Sequence, residues 1–263
     1  MINKINRLLA RLITKPLNIK DFEKISIILC KSEIQPTLPA IYLKEHLNRV
    51  SGAHHLSSIK YEFERLEQKT VKHEPTILYP IGKTKLFRGG LWTSNNSLFT
   101  RRLEKFDKLH TVNLKKAVIT DSDIAHQYFG HWLSDAVPAS LTAESDMPSV
   151  IFKKPHYQHA NEYTQIFKLQ NLVGNLGSVE NLFLLEDYSQ NSYKVRRYLE
   201  LRKRLQSNLG LLDNSQSKNV YMARGQTGVK RNLINEKAVI EHLQLRGFDI
   251  VYPEKMSVSD LMR

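Results

Sequence analysis

The chain has 263 residues, 41% hydrophobic and 9% aromatic, enough apolar material for a packed core, which excludes a globally disordered polymer. A net charge of +13, from 39 Lys+Arg against 26 Asp+Glu, favours anionic partners such as nucleic acid, anionic lipid or phosphorylated small molecules, without choosing among them. The single cysteine, Cys30, excludes an intrachain disulfide framework, and no run reaches the ~20 apolar residues a membrane-spanning helix needs.

Residues 1–72 read as a basic, mostly helical segment. Near its start Ile5, Leu8, Leu9, Leu12 and Ile13 recur at helical spacing among Lys4, Arg7, Arg11, Lys15 and Lys20. Arg7 and Arg11 interrupt the apolar stretch that a signal peptide requires. Such a helix suits either peripheral association with an anionic membrane surface or docking on its own domain. Cys30 closes the apolar run Ile25–Cys30 and reads as a buried structural thiol.

Residues 73–212 read as one α/β domain. Thr76–Pro80 looks like a short strand closed by proline, and Gly82, Gly89, Gly90 and Asn95-Asn96 mark turns. From Val112 onward strands alternate with helices: a strand at Lys116–Asp121, a helix from about Tyr128 to Thr142 and a strand at Ser149–Phe152. A helix at Asn161–Leu172, a strand at Leu182–Leu185 and a strong helix at Ser192–Leu209 follow. The last is expected to turn Val195, Leu199 and Leu205 inward and Lys194, Arg196, Arg197, Arg202, Lys203 and Arg204 outward. Gly210–Asn219 reads as a linker. Residues 218–263 then give a strand at Asn219–Ala223, a polar loop, a helix at Asn235–Arg246, Gly247 as a left-handed cap and a strand at Phe248–Tyr252. This order argues for an α/β fold with largely parallel sheets, ending in the first β-α-β unit of a second doubly wound domain.

Two segments carry candidate chemistry. The first, His126–Pro138, packs two histidines, a carboxylate and several large apolar residues behind the strand that ends at Asp121. His131 and Asp135 are four apart and share a helix face, where a carboxylate orients an imidazole and selects its tautomer. The pair suits a general base, a sugar or phosphate ligand, or a structural histidine bonded to backbone. His126, in the preceding turn, is placed to reach the same pocket, and Pro138 is expected to bend or end the helix. Asp121, His126, His131 and Asp135 match no strong zinc or iron spacing, so no metal is called for. His156 and His159 lie in a polar stretch and are expected to be exposed.

The second segment places Arg224 just past a strand and Lys230 and Arg231 before the helix that opens at Asn235-Glu236. Backbone N–H groups at a helix start, together with guanidinium groups, suit a diphosphate; a solvated basic loop is the alternative. Gly225 and Gly228 lack the spacing of a Walker loop. The basic residues are scattered without a recognition motif, so no specific nucleic-acid partner is expected.

At these residues the chain resembles glycosyltransferase family 61, which includes capsular-polysaccharide-type transferases. Phe129, His131, Trp132, Leu133, Asp135 and Pro138 match the family's aromatic-His-Trp-Leu-x-Asp-x-x-Pro segment, with Gly130 inserted between aromatic and histidine. Tyr221, Arg224, Arg231, Asn235, Glu236, Gly247 and Phe248 match the order of its later segment. The resemblance covers about residue 76 to the end. It implies a GT-B-like architecture of two Rossmann-like domains facing a cleft, with a nucleotide-sugar donor as substrate, a glycan acceptor and no cofactor. His131 and Asp135 would be the catalytic candidates; His126, Arg224, Lys230, Arg231, Asn235 and Glu236 would bind substrate or donor. Surface or capsular polysaccharide synthesis, in the cytoplasm or at the inner face of the membrane, is the expected setting. The family pattern continues past Arg263 into a further strand, a helix and a His-Gly-Ala-type loop, so a truncated or split reading frame and impaired activity are expected. The alternative is a non-catalytic remnant, or a binding subunit that needs a separate C-terminal half.

Overall fold

The computed structural model describes residues 15–87, 90–94, 97–100, 109–210, 219–224 and 233–262. In chain order the strands are β1 (Lys15–Pro16), β2 (Ile27–Cys30), β3 (Glu33–Pro36), β4 (Thr70–His73), β5 (Thr76–Phe87), β6 (Gly90–Thr93), β7 (Ser97–Thr100) and β8 (Thr111–Ile119). They continue as β9 (Ser149–Ile151), β10 (Leu172–Val173), β11 (Leu176–Glu186), β12 (Val220–Met222) and β13 (Asp249–Val251). The helices used below are α1 (Ile59–Leu66), α2 (Asp123–Gln127), α3 (Phe129–His131), α4 (Val137–Ser140), α5 (Ala160–Ile166), α6 (Ser192–Leu209), α7 (Glu236–Leu245) and α8 (Val258–Leu261). The fold is mixed α/β.

The main sheet has the order β1-β7-β6-β5-β11-β8-β9-β10, with β2 also on β5. Its parallel half is β11, β8, β9 and β10; β5 runs antiparallel to β11 and leads into the antiparallel half. Side chains alternate across the pleat. Ala117 and Ile119 join one core with Tyr79, Ile81, Val150 and Leu182, whereas Val118 joins Leu78 and Met147 on the other face. A third core lies among the helices, where Trp132, Val137, Tyr163, Phe167 and Leu201 meet. Gly177 permits the close approach of β11 to β8: its φ is +118°, and a Cβ there would meet the Val112 carbonyl oxygen at 1.9 Å.

Several expectations need correction. Residues 1–14 lie outside the described residues. Between residues 15 and 72 the helical reading holds only for α1 and two 3-10 segments, Ile19–Ile25 and Lys44–Arg49. The run Ile27–Cys30, which opens on two β-branched residues, pairs instead with β5, and Pro36 ends β3. Cys30 is half-buried rather than buried, its Sγ donating to Glu33 Oε1 at 3.3 Å. Pro80 does not close its strand. β5 runs on to Phe87, and its pairing with β11 shifts register next to Pro80, where the ladder lacks an N–H. The helix expected over 161–172 is shorter, Ala160–Ile166, and ends in a left-handed Lys168 with φ 51°.

The end of the chain folds as a parallel pair, β12 with β13, around α7. Gly247 adopts φ +77°, and the N–H groups of Gly247 and Phe248 return to the carbonyls of Gln244 and Leu243, which is the left-handed cap expected there. α8 docks on the first domain. Val258 is buried in the helical core, and its N–H donates to Glu162 Oε2 at 2.8 Å.

Candidate active site

The helix behind β8 begins at α2, capped by Ser122, whose hydroxyl accepts from Ala125 N. After Tyr128 it restarts as α3, widens into a π-helical turn at Trp132–Ala136, and continues as α4. The π turn has an identifiable cause. Pro138 has no N–H, so the Ser134 carbonyl loses its usual partner; it accepts from Tyr198 Oη at 2.5 Å instead. Pro138 therefore neither ends nor breaks the helical run. Phe129, Trp132 and Leu133 pack inward against Tyr157 and Tyr163, so this part of the motif serves packing. π turns of this kind recur at functional sites.

His131 and Asp135 face away from that core. His131 Nδ1 lies 2.9 Å from Asp135 Oδ2, and the His131 side chain is 47% exposed. The other oxygen, Oδ1, accepts from Lys194 Nζ at 2.8 Å, and the Lys194 side chain is 0% exposed. Burial by itself would raise the Asp135 carboxyl, but hydrogen bonds from Lys194 and His131 outweigh it and hold the group below its ordinary value. An ionised carboxylate only accepts. Nδ1 of the neutral imidazole is then the donor, and Nε2 keeps its lone pair away from Asp135.

Lys194 is fixed from below. Its Nζ also donates to the Asp187 carbonyl at 3.3 Å, and the Asp187 carboxylate takes two bonds from Arg197 Nη2 at 2.9 Å. Arg197 reaches Pro138 O and Thr142 Oγ1, and Thr76 Oγ1 donates to Asp187. Asn191 caps α6 through Lys194 N and ties it to Thr76 and Glu74. One buried polar network thus joins the start of β5, the end of β11, α6 and the histidine helix.

This corrects the reading of α6. Lys194 and Arg197 are buried, whereas Val195 and Leu199 are exposed. The inward face is Lys194, Arg197, Tyr198, Leu201 and Leu205, at steps of three and four. Lys194, Asp187, Arg197 and Tyr198 belong to the site although the sequence motifs do not include them. The available signal was that Leu201 and Leu205 share a helix face with Lys194 and Tyr198, not with Val195 and Leu199.

His126 does not join His131. Its Nε2 lies 2.7 Å from Asp121 Oδ1, and Asp121 Oδ2 accepts from Phe152 N at 3.0 Å. Its Nδ1 is buried with no hydrogen-bond partner among the described residues. The two histidines therefore form separate pairs, and among the described residues no group of three or more His, Cys, Asp and Glu is arranged to hold a metal. His159 is half-buried rather than exposed, with Nε2 3.1 Å from the Pro253 carbonyl.

Of the second segment, Lys230 and Arg231 lie outside the described residues. Arg224 is exposed just after β12. Asn235 occupies the N-cap of α7 without a side-chain cap bond. Glu236 Oε1 accepts from Tyr221 Oη and from Arg224 N, both at 3.3 Å, and pins the loop after β12 to the helix start. Burial, and after it the Glu236 charge, pushes the Tyr221 hydroxyl up from its ordinary value.

Neither of two hollows in the structure is lined by His131 or Asp135. A hollow of about 670 Å³ lies beyond the end of α4, lined by residues such as Ser140, Glu144, Lys168, Glu200, Lys203 and Arg204, and touches neither histidine pair. A smaller one, about 220 Å³, lies at the carboxyl ends of β8 and β11 beside Asp121.

An α/β chain in which a carboxylate-anchored histidine projects from a helix behind a parallel strand has the parts for proton transfer, and residues 129–263 match the model of a family of transferases described as Glycosyltransferase 61. The matched region begins at Phe129, holds both His131 and Asp135, and covers half of the chain; the chain belongs to glycosyltransferase family 61. No curated protein and no solved structure matches it. Among the described residues, no helix is long and apolar enough to cross a membrane.

Proposed function

We propose that the chain transfers a sugar from a nucleotide-sugar donor to a hydroxyl of a glycan acceptor, in surface or capsular polysaccharide synthesis at the cytoplasmic side of the membrane. The observation that carries the reading is the anchored pair: an exposed His131 imidazole oriented by Asp135, which is itself fixed by a fully buried lysine. In this reading His131 Nε2 takes the proton of the acceptor hydroxyl. The acceptor oxygen bonds to the anomeric carbon, the bond from that carbon to the diphosphate breaks, and the electron pair leaves with the diphosphate. Attack from the face opposite the leaving group inverts the centre. Asp135 is a positioning residue that holds the tautomer and offsets the charge of the imidazolium.

Arg224, Lys230 and Arg231 offset charge on the leaving diphosphate, and Asn235 and Glu236 at the start of α7 contribute to donor binding. His126 lies with Asp121 on the acceptor side. The donor is a substrate, and the reaction calls for no further cofactor. The β12–α7–β13 unit forms part of the donor side of a GT-B-like pair of Rossmann-like domains. The test is to incubate the full chain with uridine, guanosine and thymidine diphosphate sugars and a panel of methyl glycosides, and to measure nucleoside diphosphate released. Acceptor-dependent release from one donor is the expected result; no release with any pair contradicts it.

A further inference from the structure

The order of the parallel strands reverses between β8 and β11. From β8 the chain steps outward to β9 and β10, then returns to the other side of β8 as β11. In open α/β sheets such a reversal leaves a crevice outside the carboxyl ends of the strands, and ligands bind there. The 220 Å³ pocket occupies this crevice. Its walls include Phe99, Phe152 and Tyr188, and its polar side is Asp121, Ser122 and Asp123. Tyr188 is 83% exposed and Phe99 39%, a large aromatic surface to leave in water beside carboxylates.

We infer that this pocket is a subsite for a single uncharged pyranose ring of the acceptor. The inference rests on the sugar-transfer reading above and deepens it, naming the part of the acceptor that sits beside Asp121. Three observations select the ligand class. Size comes first: drug-sized ligands occupy roughly 300–1,000 Å³, so about 220 Å³ takes one ring and not a nucleotide sugar. Charge comes second: the exposed Asp123 on the lining disfavours a diphosphate and suits a hydroxyl donor, while Asp121, bonded to His126 and Phe152 N, backs the wall. Shape comes third. The C–H face of a pyranose is apolar while its rim is hydroxylated, which matches aromatic walls with a carboxylate and hydroxyl edge. The pocket and His131 both follow the carboxyl end of β8, Asp121 and Asp123 directly and His131 after α2.

The test reads binding rather than turnover, so it stands or falls separately from the transfer reaction. Saturation-transfer NMR is run on the full chain with a panel of methyl hexopyranosides, for wild type, Tyr188→Ala and Asp123→Asn, with melting temperature as a control. At least one glycoside should receive saturation from aromatic protons. Tyr188→Ala should weaken it about three- to ten-fold, the scale of one aromatic contact, and Asp123→Asn should weaken it as well. Uridine diphosphate should not displace it. Absence of saturation for every glycoside, unchanged affinity in both variants, or displacement by uridine diphosphate would overturn the assignment. If the glycoside binds as described but no nucleotide sugar is turned over, the transfer reading fails and the subsite stands as a sugar-binding site alone.

Discussion

In α6 the buried positions carry charge, whereas in the β12–α7–β13 unit several apolar positions face outward. Lys194 and Arg197 are enclosed, yet Val220, Met222, Ile234 and Leu245 are exposed. Partner supply decides the first case. Each buried cation meets a carboxylate, Asp135 or Asp187, and Arg197 adds the Pro138 carbonyl and the Thr142 hydroxyl. A charge can enter a protein interior when its partners enter with it. Packing supply decides the second: an apolar side chain is buried only where another surface covers it. Hydropathy alone misjudges both regions, in opposite directions.

The strongest challenge to the α6 side of this comparison is Asp187→Ala. It strands Arg197 without its carboxylate partner, while Lys194 keeps Asp135, and breaking a buried pair of this kind costs about 3–5 kcal/mol. Urea unfolding should show that loss; a change below about 0.5 kcal/mol, ordinary for a surface site, would mean the network is not buried in solution. A smaller effect is expected at Tyr198→Phe, which removes the donor to the Ser134 carbonyl in the π turn. About 1 kcal/mol should be lost, the net scale of one hydrogen bond, and wild-type stability would separate Tyr198 from the turn.

The smallest effect belongs to Glu33, which ties β3 to the start of α6. Bonds from the Ser192 hydroxyl and N–H, and then from Cys30, hold its carboxyl at about 2. A carboxyl depressed in the folded state stabilises the fold above its unfolded value, about 4.3, and that contribution disappears as pH falls toward about 2. Glu33→Gln should therefore flatten the part of the stability curve between those limits. An acid limb identical to wild type would contradict the capping geometry.

The legible parts of the sequence were those where one local rule acts alone. The bounds of α6 follow from Asn191 as cap and Gly210 as stop, and the turn at Gly247 from its left-handed φ. The i,i+4 spacing of His131 and Asp135 on a helix foretold their contact. What stayed hidden depends on distant partners. The helix face shared with Leu201 and Leu205 turns Lys194 inward, but nothing local shows what offsets its charge, because Asp135 is 59 residues away in the chain. Pro80 in the middle of β5 is tolerated through a register shift in β11, which only the paired sheet reveals. Nearness in sequence groups His126 with His131, but the helix break at Tyr128 separates them and His126 pairs with Asp121.

The central claim is that His131, held by Asp135 and Lys194, takes the acceptor proton. The most direct measurement is kcat and KM of sugar transfer by the full chain, wild type against His131→Ala. Because His131 is half exposed and packs in no core, the variant should keep its fold and its donor KM. Its kcat should fall about 10²- to 10⁴-fold, the usual share of a general base. A variant that turns over donor at the wild-type rate would contradict the account.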